Sequence, residues 1–266
     1  MRIATWNVRR AIASSRCWEL FAEIDPDVAL LQEVGCIPGS LRNRYQIAEA
    51  TPIGRSGRPQ KFKTAILAKG EIKGEIALTS ELDWINRERA WFGGNIVACR
   101  VAISNMPAMN VISFYSPAWP VNPARLDGID LKGIKLEQNR DLWCTEILWS
   151  LLIPSMQSNS GPWVVGGDFN SSETFDAWRV GGRGNAEIIS RLNILGLKDC
   201  LRTHHGRLVP TFRNPRGGAV IHQIDHLYVS DSLLNRLSEC HAPMEETIFT
   251  QKISDHLPIV ADFKTP

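Results

Sequence analysis

The stretch Val164-Val165-Gly166-Gly167-Asp168-Phe169-Asn170 decides how this chain is read. An apolar run ends in two glycines and then offers Asp168 and Asn170. Side chains alternate between faces in an extended segment. Asp168 and Asn170 are therefore expected to point one way, with Phe169 turned into the core. Gly166 and Gly167 let the backbone bend and let a bulky ligand come close. A carboxylate beside a neutral amide suits a reaction that moves a proton next to a charged oxygen. Taken alone, the stretch equally describes a strand running into an Asp/Asn turn. Its weight comes from other apolar runs that end in the same manner.

Residues 2–8 read as a short strand ending at Asn7. Trp18, Leu20, Phe21 and Ile24 fit a short helix that stops before Pro26, whose ring disfavours helical geometry at Asp25. Residues 27–32 are nearly all apolar, as in a strand covered on both faces, and the run ends at Glu33. Two strands with a helix between them thus each deliver a polar residue at a C-terminal end, where open sheets commonly place ligands. Residues 64–67, 74–78, 95–103 and 109–114 read as further strands. The last runs into Tyr115-Ser116-Pro117 and stops there, because Pro117 cannot donate to a ladder. Residues 84–91 mix Arg87, Glu88 and Arg89 with aromatics and fit a turn or a rim contact.

Leu136, Trp143, Ile147 and Leu151 recur at helical spacing, a core stripe that Pro154 is expected to end. Residues 185–195 form a second amphipathic pattern, with Gly196 where a C-cap glycine would sit. His204-His205 fits a surface loop better than a metal site. Residues 220–229 read as a strand carrying Asp225 and His226. An ionisable residue in an apolar strand is costly unless paired, so Asp225 needs a partner. Ser254-Asp255-His256-Leu257-Pro258 supplies candidates, just before a strand over 259–263.

A chain of 266 residues is long enough to bury a sizeable core. With no repeat and no linker, it reads as a single domain over 1–266 with a layered sheet core. Net charge is +2, too small to mark a nucleic-acid partner, so any such contact must rest on local patches. Two are available: the loop over 51–63 with Arg55, Arg58, Lys61 and Lys63, and the segment with Arg213 and Arg216, each suited to gripping phosphates. None of the six cysteines lies in a C-x-x-C pair, which argues against a zinc ribbon or redox motif and for reduced, buried thiols. The start lacks an apolar segment before Arg9 and Arg10, and no run reaches the roughly 18 apolar residues of a membrane span. The expectation is a cytoplasmic protein without membrane contact.

The polar residues that end apolar runs are Asn7, Glu33, Tyr115, Asp168, Asn170, Asp225, Asp255 and His256. Oxygen ligands dominate, which favours Mg²⁺ or Mn²⁺ over zinc. Mg²⁺ takes one or two carboxylates plus waters and substrate phosphate. The other carboxylates are then free for proton transfer or for orienting a histidine. Phosphate-ester hydrolysis uses such a kit: a metal on the phosphate oxygens, a base for water, and donors for the developing charge.

Thr5-Trp6-Asn7, Leu31-Gln32-Glu33, Tyr115-Ser116-Pro117, Gly167-Asp168-Phe169-Asn170, Ile224-Asp225-His226 and Ser254-Asp255-His256-Leu257-Pro258 occur in this order. Together they resemble the motif set of the endonuclease/exonuclease/phosphatase superfamily, which includes deoxyribonuclease I and exonuclease III. The resemblance covers residues 2–263. It implies an α/β fold, a four-layered α/β sandwich of two mixed β-sheets packed face to face with helices on the outside. It implies Glu33 as main metal ligand, with Asp255 near it and Asn7 ordering the ligands. Asp168 matches the residue that activates water, and Asn170 the one that holds water and phosphate. His256 matches the histidine on the scissile phosphate, Asp225 its carboxylate partner, and Tyr115 the phosphate-binding tyrosine of the exonuclease III branch.

Four positions depart from the abasic-site endonucleases of that superfamily. Ala118-Trp119 stands where an asparagine usually follows Tyr-x-Pro, and Val34-Gly35 follows the glutamate where a polar residue is common. Phe212 replaces a tryptophan, and His226 replaces a frequent tyrosine. The Trp-Cys-Asp-Arg signature of inositol phosphatases is missing. The expectation is a Mg²⁺- or Mn²⁺-dependent phosphodiesterase acting as a monomer on nucleic acid, DNA first, as an endo- or exonuclease with little sequence specificity. A phosphatase or lipid phosphodiesterase, with Trp84, Trp91 and Trp119 lining a smaller pocket, is the alternative. A non-catalytic binding module is a third reading.

Overall fold

Residues 28–31 show why the chain builds two stacked sheets. Val28, Ala29, Leu30 and Leu31 are all wholly buried. Val28 and Leu30 face one apolar cluster while Ala29 and Leu31 face another. A strand with both faces covered must lie between two layers, and the second sheet repeats the pattern with Val111 and Val164 against Ile112 and Val165.

The computed structural model describes residues 1–178, 184–214 and 219–265. The first sheet contains β1 (Arg2–Ala11), β2 (Val28–Val34), β3 (Gln46–Ala50), β4 (Lys63–Ala68), β11 (Leu237–His241) and β12 (Ile259–Phe263). Its order is β11-β12-β1-β2-β4-β3. The second contains β5 (Glu71–Glu75), β6 (Ile96–Ala102), β7 (Met109–Tyr115), β8 (Trp163–Asp168), β9 (Leu197–Asp199) and β10 (Asp225–Ser230), in the order β5-β6-β7-β8-β10-β9. Each sheet has one parallel pair, β1 with β2 and β7 with β8, and antiparallel neighbours elsewhere.

The shared core between the sheets is built from Ile3, Val28, Leu30 and Ile66 against Val97, Val111, Val164 and Leu227. Outside the first sheet lie α1 (Cys17–Ile24) and α9 (Glu245–Thr250), joined by Trp6, Phe21, Leu31 and Phe249. Outside the second lie α3 (Asp83–Trp91), α4 (Cys144–Ser158) and α6 (Asn185–Ile194), which bury Ile85, Ile147, Leu151 and Leu192. Short helices α2 (Gly39–Arg42), α5 (Glu173–Trp178) and α8 (Asp231–Leu234) occupy connections. The order helix, sheet, sheet, helix is the expected four-layered sandwich. Among the described residues no helix is long and apolar enough to cross a membrane. All six cysteines are free, and only Cys36 is exposed.

Several local expectations shift. The helix read over 136–152 begins at Cys144, where the Glu146 carboxylate accepts from the Trp143 backbone N–H at 3.1 Å as half of a capping box. Leu151, Leu152 and Met156 pack into the core on either side of Pro154, so the helix continues past the proline to Ser158. Residues 84–91 are helical, because Trp84, Ile85 and Glu88 are buried on one face. The strand read at 74–78 lies at Glu71–Glu75, with a register shift between Ile72 and Gly74. The strand read from 220 starts at Asp225, since the His222 carbonyl is taken by Thr211 N–H at 2.9 Å. His204 and His205 end the short helix α7 (Cys200–His205), with His205 Nε2 bonded to the Cys240 carbonyl at 3.0 Å.

The opening stretch behaves as read up to Asp168, where β8 ends. Phe169 is buried, against Phe114 at 4.8 Å between ring centres. Asn170 leaves extended geometry with φ of 47°. Gly167 has φ of 151°, and an added Cβ would fall 1.8 Å from the Phe114 carbonyl oxygen. Only glycine lets β8 lie this close to β7. We expect Gly167→Ala to cost about 2 kcal/mol or more in urea unfolding. A neutral result would contradict this fit.

Candidate active site

The parallel pairs of both sheets end at one rim. There β1 supplies Asn7, β2 Glu33, β7 Tyr115 and β8 Asp168, while β10 starts there with Asp225. Register sets the spacing in the second sheet: Asp168 lies opposite Tyr115 on one side and Asp225 on the other. Asp255 and His256 come from the turn before β12.

Asn7 joins the sheets. Its Nδ2 donates to Asp168 Oδ2 at 3.0 Å and lies 3.5 Å from Glu33 Oε1. Asp168 Oδ1 accepts from the Asn170 backbone N–H at 3.0 Å. Asn170 Nδ2 in turn donates to the Ser116 carbonyl at 2.6 Å. His256 is held on all sides. Its Nδ1 donates to both Asp225 oxygens at 2.9 and 3.0 Å, and its ring packs on Phe212. Its carbonyl accepts from Trp6 Nε1 at 2.9 Å, and its N–H donates to Ser254 Oγ at 3.1 Å. Thr211 Oγ1 donates to Asp225 Oδ2 at 2.7 Å. This leaves His256 Nε2 aimed at Asp168 Oδ2 across 3.8 Å, beyond hydrogen-bond length.

The charges follow from the geometry. Burial alone would pull the His256 imidazole down, but the Asp225 and Asp168 charges and the Asp225 hydrogen bond outweigh it, pushing it up to about 10. Burial, helped by the Asp225 charge, pushes Asp168 up to about 7, against the pull of His256 and Asn7. Burial also raises the Tyr115 phenol far above its usual range, with the Glu33 and Asp168 charges adding to it. Tyr115 packs edge-on against Phe62 at 5.3 Å between ring centres.

Two sets of groups could take a cation. Oxygen and nitrogen atoms of Asp168, Asp225 and His256 lie within 4.8 Å of one another. There, however, Nδ1 is committed to Asp225 and the side chains are at most 7% exposed, too little opening for the several waters that Mg²⁺ keeps. The Glu33 and Asp255 side chains are 18% and 19% exposed and meet only partly exposed arginines at long range, Arg10 at 3.5 Å and Arg9 at 3.8 Å. Glu33, part-open and 3.5 Å from the Asn7 amide, fits a hard, hydrated cation better.

The basic residues separate into groups. Arg55, Arg58 and Lys61 are exposed on their loop. Lys63 opens β4 and is paired with Glu49 at 2.5 Å, so it sits apart from them. Arg213 lies over the Phe249 ring at 4.5 Å and lines a cleft of about 360 Å³ with Arg9, Lys252, Ser254 and Asp255. Arg216 lies outside the described residues.

The sequence pattern of the Endonuclease/Exonuclease/phosphatase family matches residues 4–256. No curated protein matches this chain. Among solved structures, an AP endonuclease from Archaeoglobus fulgidus superposes with a TM-score of 0.70 at 21% identity, over 99% of both chains. A 3′ phosphatase from Neisseria, NExo, bound to product DNA hairpin gives 0.67 at 20% identity, again over 99% of both. The APE2 catalytic domain of Xenopus laevis gives 0.67 at 19%, over 99% of this chain and 92% of that one. At these identities the likeness speaks for the fold.

His226, beside the site, has partners that no local sequence pattern shows. His226 Nδ1 donates to Asp199 Oδ2 at 2.6 Å, and Nε2 donates to the Ser171 carbonyl at 3.0 Å. These two partners are acceptors and are the nearest groups to the ring nitrogens, which favours the imidazolium over either neutral tautomer. Burial opposes its charge, but the Asp199 hydrogen bond and charge and the Ser171 carbonyl prevail and raise its pKa. It clamps the turn after Asn170. A raised pKa makes this contribution full below the unfolded value of about 6.5 and lost as pH climbs through the folded one. His226→Leu leaves buried Asp199 with only the neutral donors Gln223 Nε2 at 2.9 Å and Arg202 N–H at 3.0 Å. We expect a loss of about 3 kcal/mol near pH 6 in urea unfolding, shrinking as pH rises. A loss that stays constant with pH would contradict the charged assignment.

Proposed function

Because this chain belongs to the endonuclease/exonuclease/phosphatase family, we propose that it is a divalent-metal-dependent phosphodiesterase that hydrolyses the nucleic-acid backbone, DNA first. The observation that carries this reading is the line Glu33, Asn7, Asp168, His256, Asp225, drawn from both sheets and linked by hydrogen bonds and one 3.8 Å gap. Glu33 and Asp255, with Asn7, would hold Mg²⁺ or Mn²⁺. The ion would polarise the phosphate oxygens when bound.

The chain's own groups then divide the work. Asp168, held by Asn7 and the Asn170 N–H, takes a proton from the attacking water. Asn170 helps orient water and phosphate. His256, kept charged by Asp225, donates from Nε2 to a phosphate oxygen whose charge grows in the transition state. Tyr115 supplies a phenol that burial keeps protonated. Asp225 touches no substrate and positions His256.

Surfaces lined with cations favour a polymer over a small phosphate ester. Arg9, Arg213 and Lys252 lie on one side, and Arg55, Arg58 and Lys61 lie on the exposed loop. The DNA hairpin in the related Neisseria structure supports the same substrate class. Contacts to phosphate carry no sequence information, so little sequence preference is expected. We read the chain as one domain acting as a monomer. A pure binding module would not need a base aligned with a charged histidine.

Supercoiled plasmid nicking tests this reading. We expect activity with Mg²⁺ or Mn²⁺ that EDTA abolishes. Asp168→Asn and Glu33→Gln should each lose about a thousandfold or more while keeping the wild-type unfolding midpoint within a few degrees. Undiminished nicking by Asp168→Asn would contradict the assignment.

A further inference from the structure

A second cleft carries chemistry that phosphate cleavage leaves unused. It encloses about 130 Å³ and is lined by Arg55, Trp91, Trp119, Pro120, Pro123 and Arg125, among others. Trp91 closes α3. The Arg125 guanidinium lies over its ring, 4.1 Å from the centre, fixed there by hydrogen bonds to Glu88 at 2.9 and 2.7 Å. Glu88 is buried, so this wall is rigid. The Arg55 side is different: the residue is exposed and holds no carboxylate among the described residues. An added Cβ on Gly57 would come within 3.5 Å of the Trp91 ring, so the basic loop runs alongside that indole.

Both loops that wall the cleft lead to Tyr115. Trp119 follows it in sequence, and Phe62, at the far end of the basic loop, packs on its ring at 5.3 Å. Both walls of the cleft are therefore tied by short segments to the strand end that carries Tyr115. The cleft's contents are indole and proline surface, one fixed guanidinium and one free one. Indoles stack flat heteroaromatic rings regardless of base identity, and guanidinium groups reinforce such stacks. A free arginine beside them suits a phosphate attached to that ring.

Resting on the phosphodiesterase reading, we infer that this cleft binds one unpaired nucleobase of the substrate, next to the nucleotide being cut. A base paired within a duplex cannot enter such a cleft without being extruded. The enzyme therefore prefers single-stranded or locally unpaired stretches over fully paired duplex.

The test begins without turnover. Full-length protein in EDTA is titrated calorimetrically with adenosine 5′-monophosphate, ribose 5-phosphate and inorganic phosphate. We expect the base-bearing ligand to bind at least about tenfold tighter than ribose 5-phosphate. Trp119→Ala should erase that difference, and Trp119→Phe should keep most of it. Equal binding of the two ligands by wild type, or an undiminished difference in Trp119→Ala, overturns the inference. The second arm measures cleavage of a single-stranded oligonucleotide and of the same strand with base-less residues. Trp119→Ala should raise KM about tenfold on the first and leave the second unchanged. Equal loss on both overturns the base site. A wild type that binds the nucleotide selectively but cuts no phosphodiester would uphold the base site and reject the phosphodiesterase reading.

Discussion

A charged histidine sealed between two aspartates governs this structure. His256, Asp225 and Asp168 are each almost fully buried, and an unpaired ion there would cost several kcal/mol. The fold offsets that cost by pairing Nδ1 with Asp225 and by fixing the histidine backbone through Trp6 and Ser254. Trp6 belongs to the first sheet and Asp225 to the second. The histidine can be held this way only if the sheets stack with their rims aligned.

Around this trio the backbone takes unusual turns. Arg9, Arg10, Glu33 and Asn170 all have positive φ without being glycine, and each such position stores on the order of 1 kcal/mol. They lie where β1, β2 and β8 leave regular pairing. The β1–β2 register breaks between Asn7 and Ala11. These irregularities turn Glu33 toward Asn7 and bring Asn170 N–H onto Asp168. Arg10 meets Glu33 and Arg9 meets Asp255 at the same break.

Much of this was legible in the sequence because strand ends write themselves as an apolar run followed by a polar residue. Asn7, Glu33, Tyr115, Asp168 and Asp225 were found that way, and the need of Asp225 for a partner pointed to the turn that supplies His256. Pairs far apart in sequence were not legible. Glu88 looked like a rim charge until Arg125, remote in the chain, closed on it. His226 looked like a variant residue until Asp199 and Ser171 gave it a role. Pro154 looked like a stop, but core packing of Leu152 and Met156 outweighs one lost helical hydrogen bond. Lys63 counted as a loop cation until the start of β4 placed it against Glu49.

The protonation of His256 reports on the buried trio most directly. ¹⁵N NMR of the labelled imidazoles in metal-free protein, with His256 assigned by substitution, reads both ring nitrogens. Both should stay protonated well above the ordinary histidine range near 6.5, and Asp225→Asn should bring the transition down sharply. A His256 ring that titrates near 6.5 in the wild type, unmoved by Asp225→Asn, would contradict the buried charged trio and the alignment of the two sheets built on it.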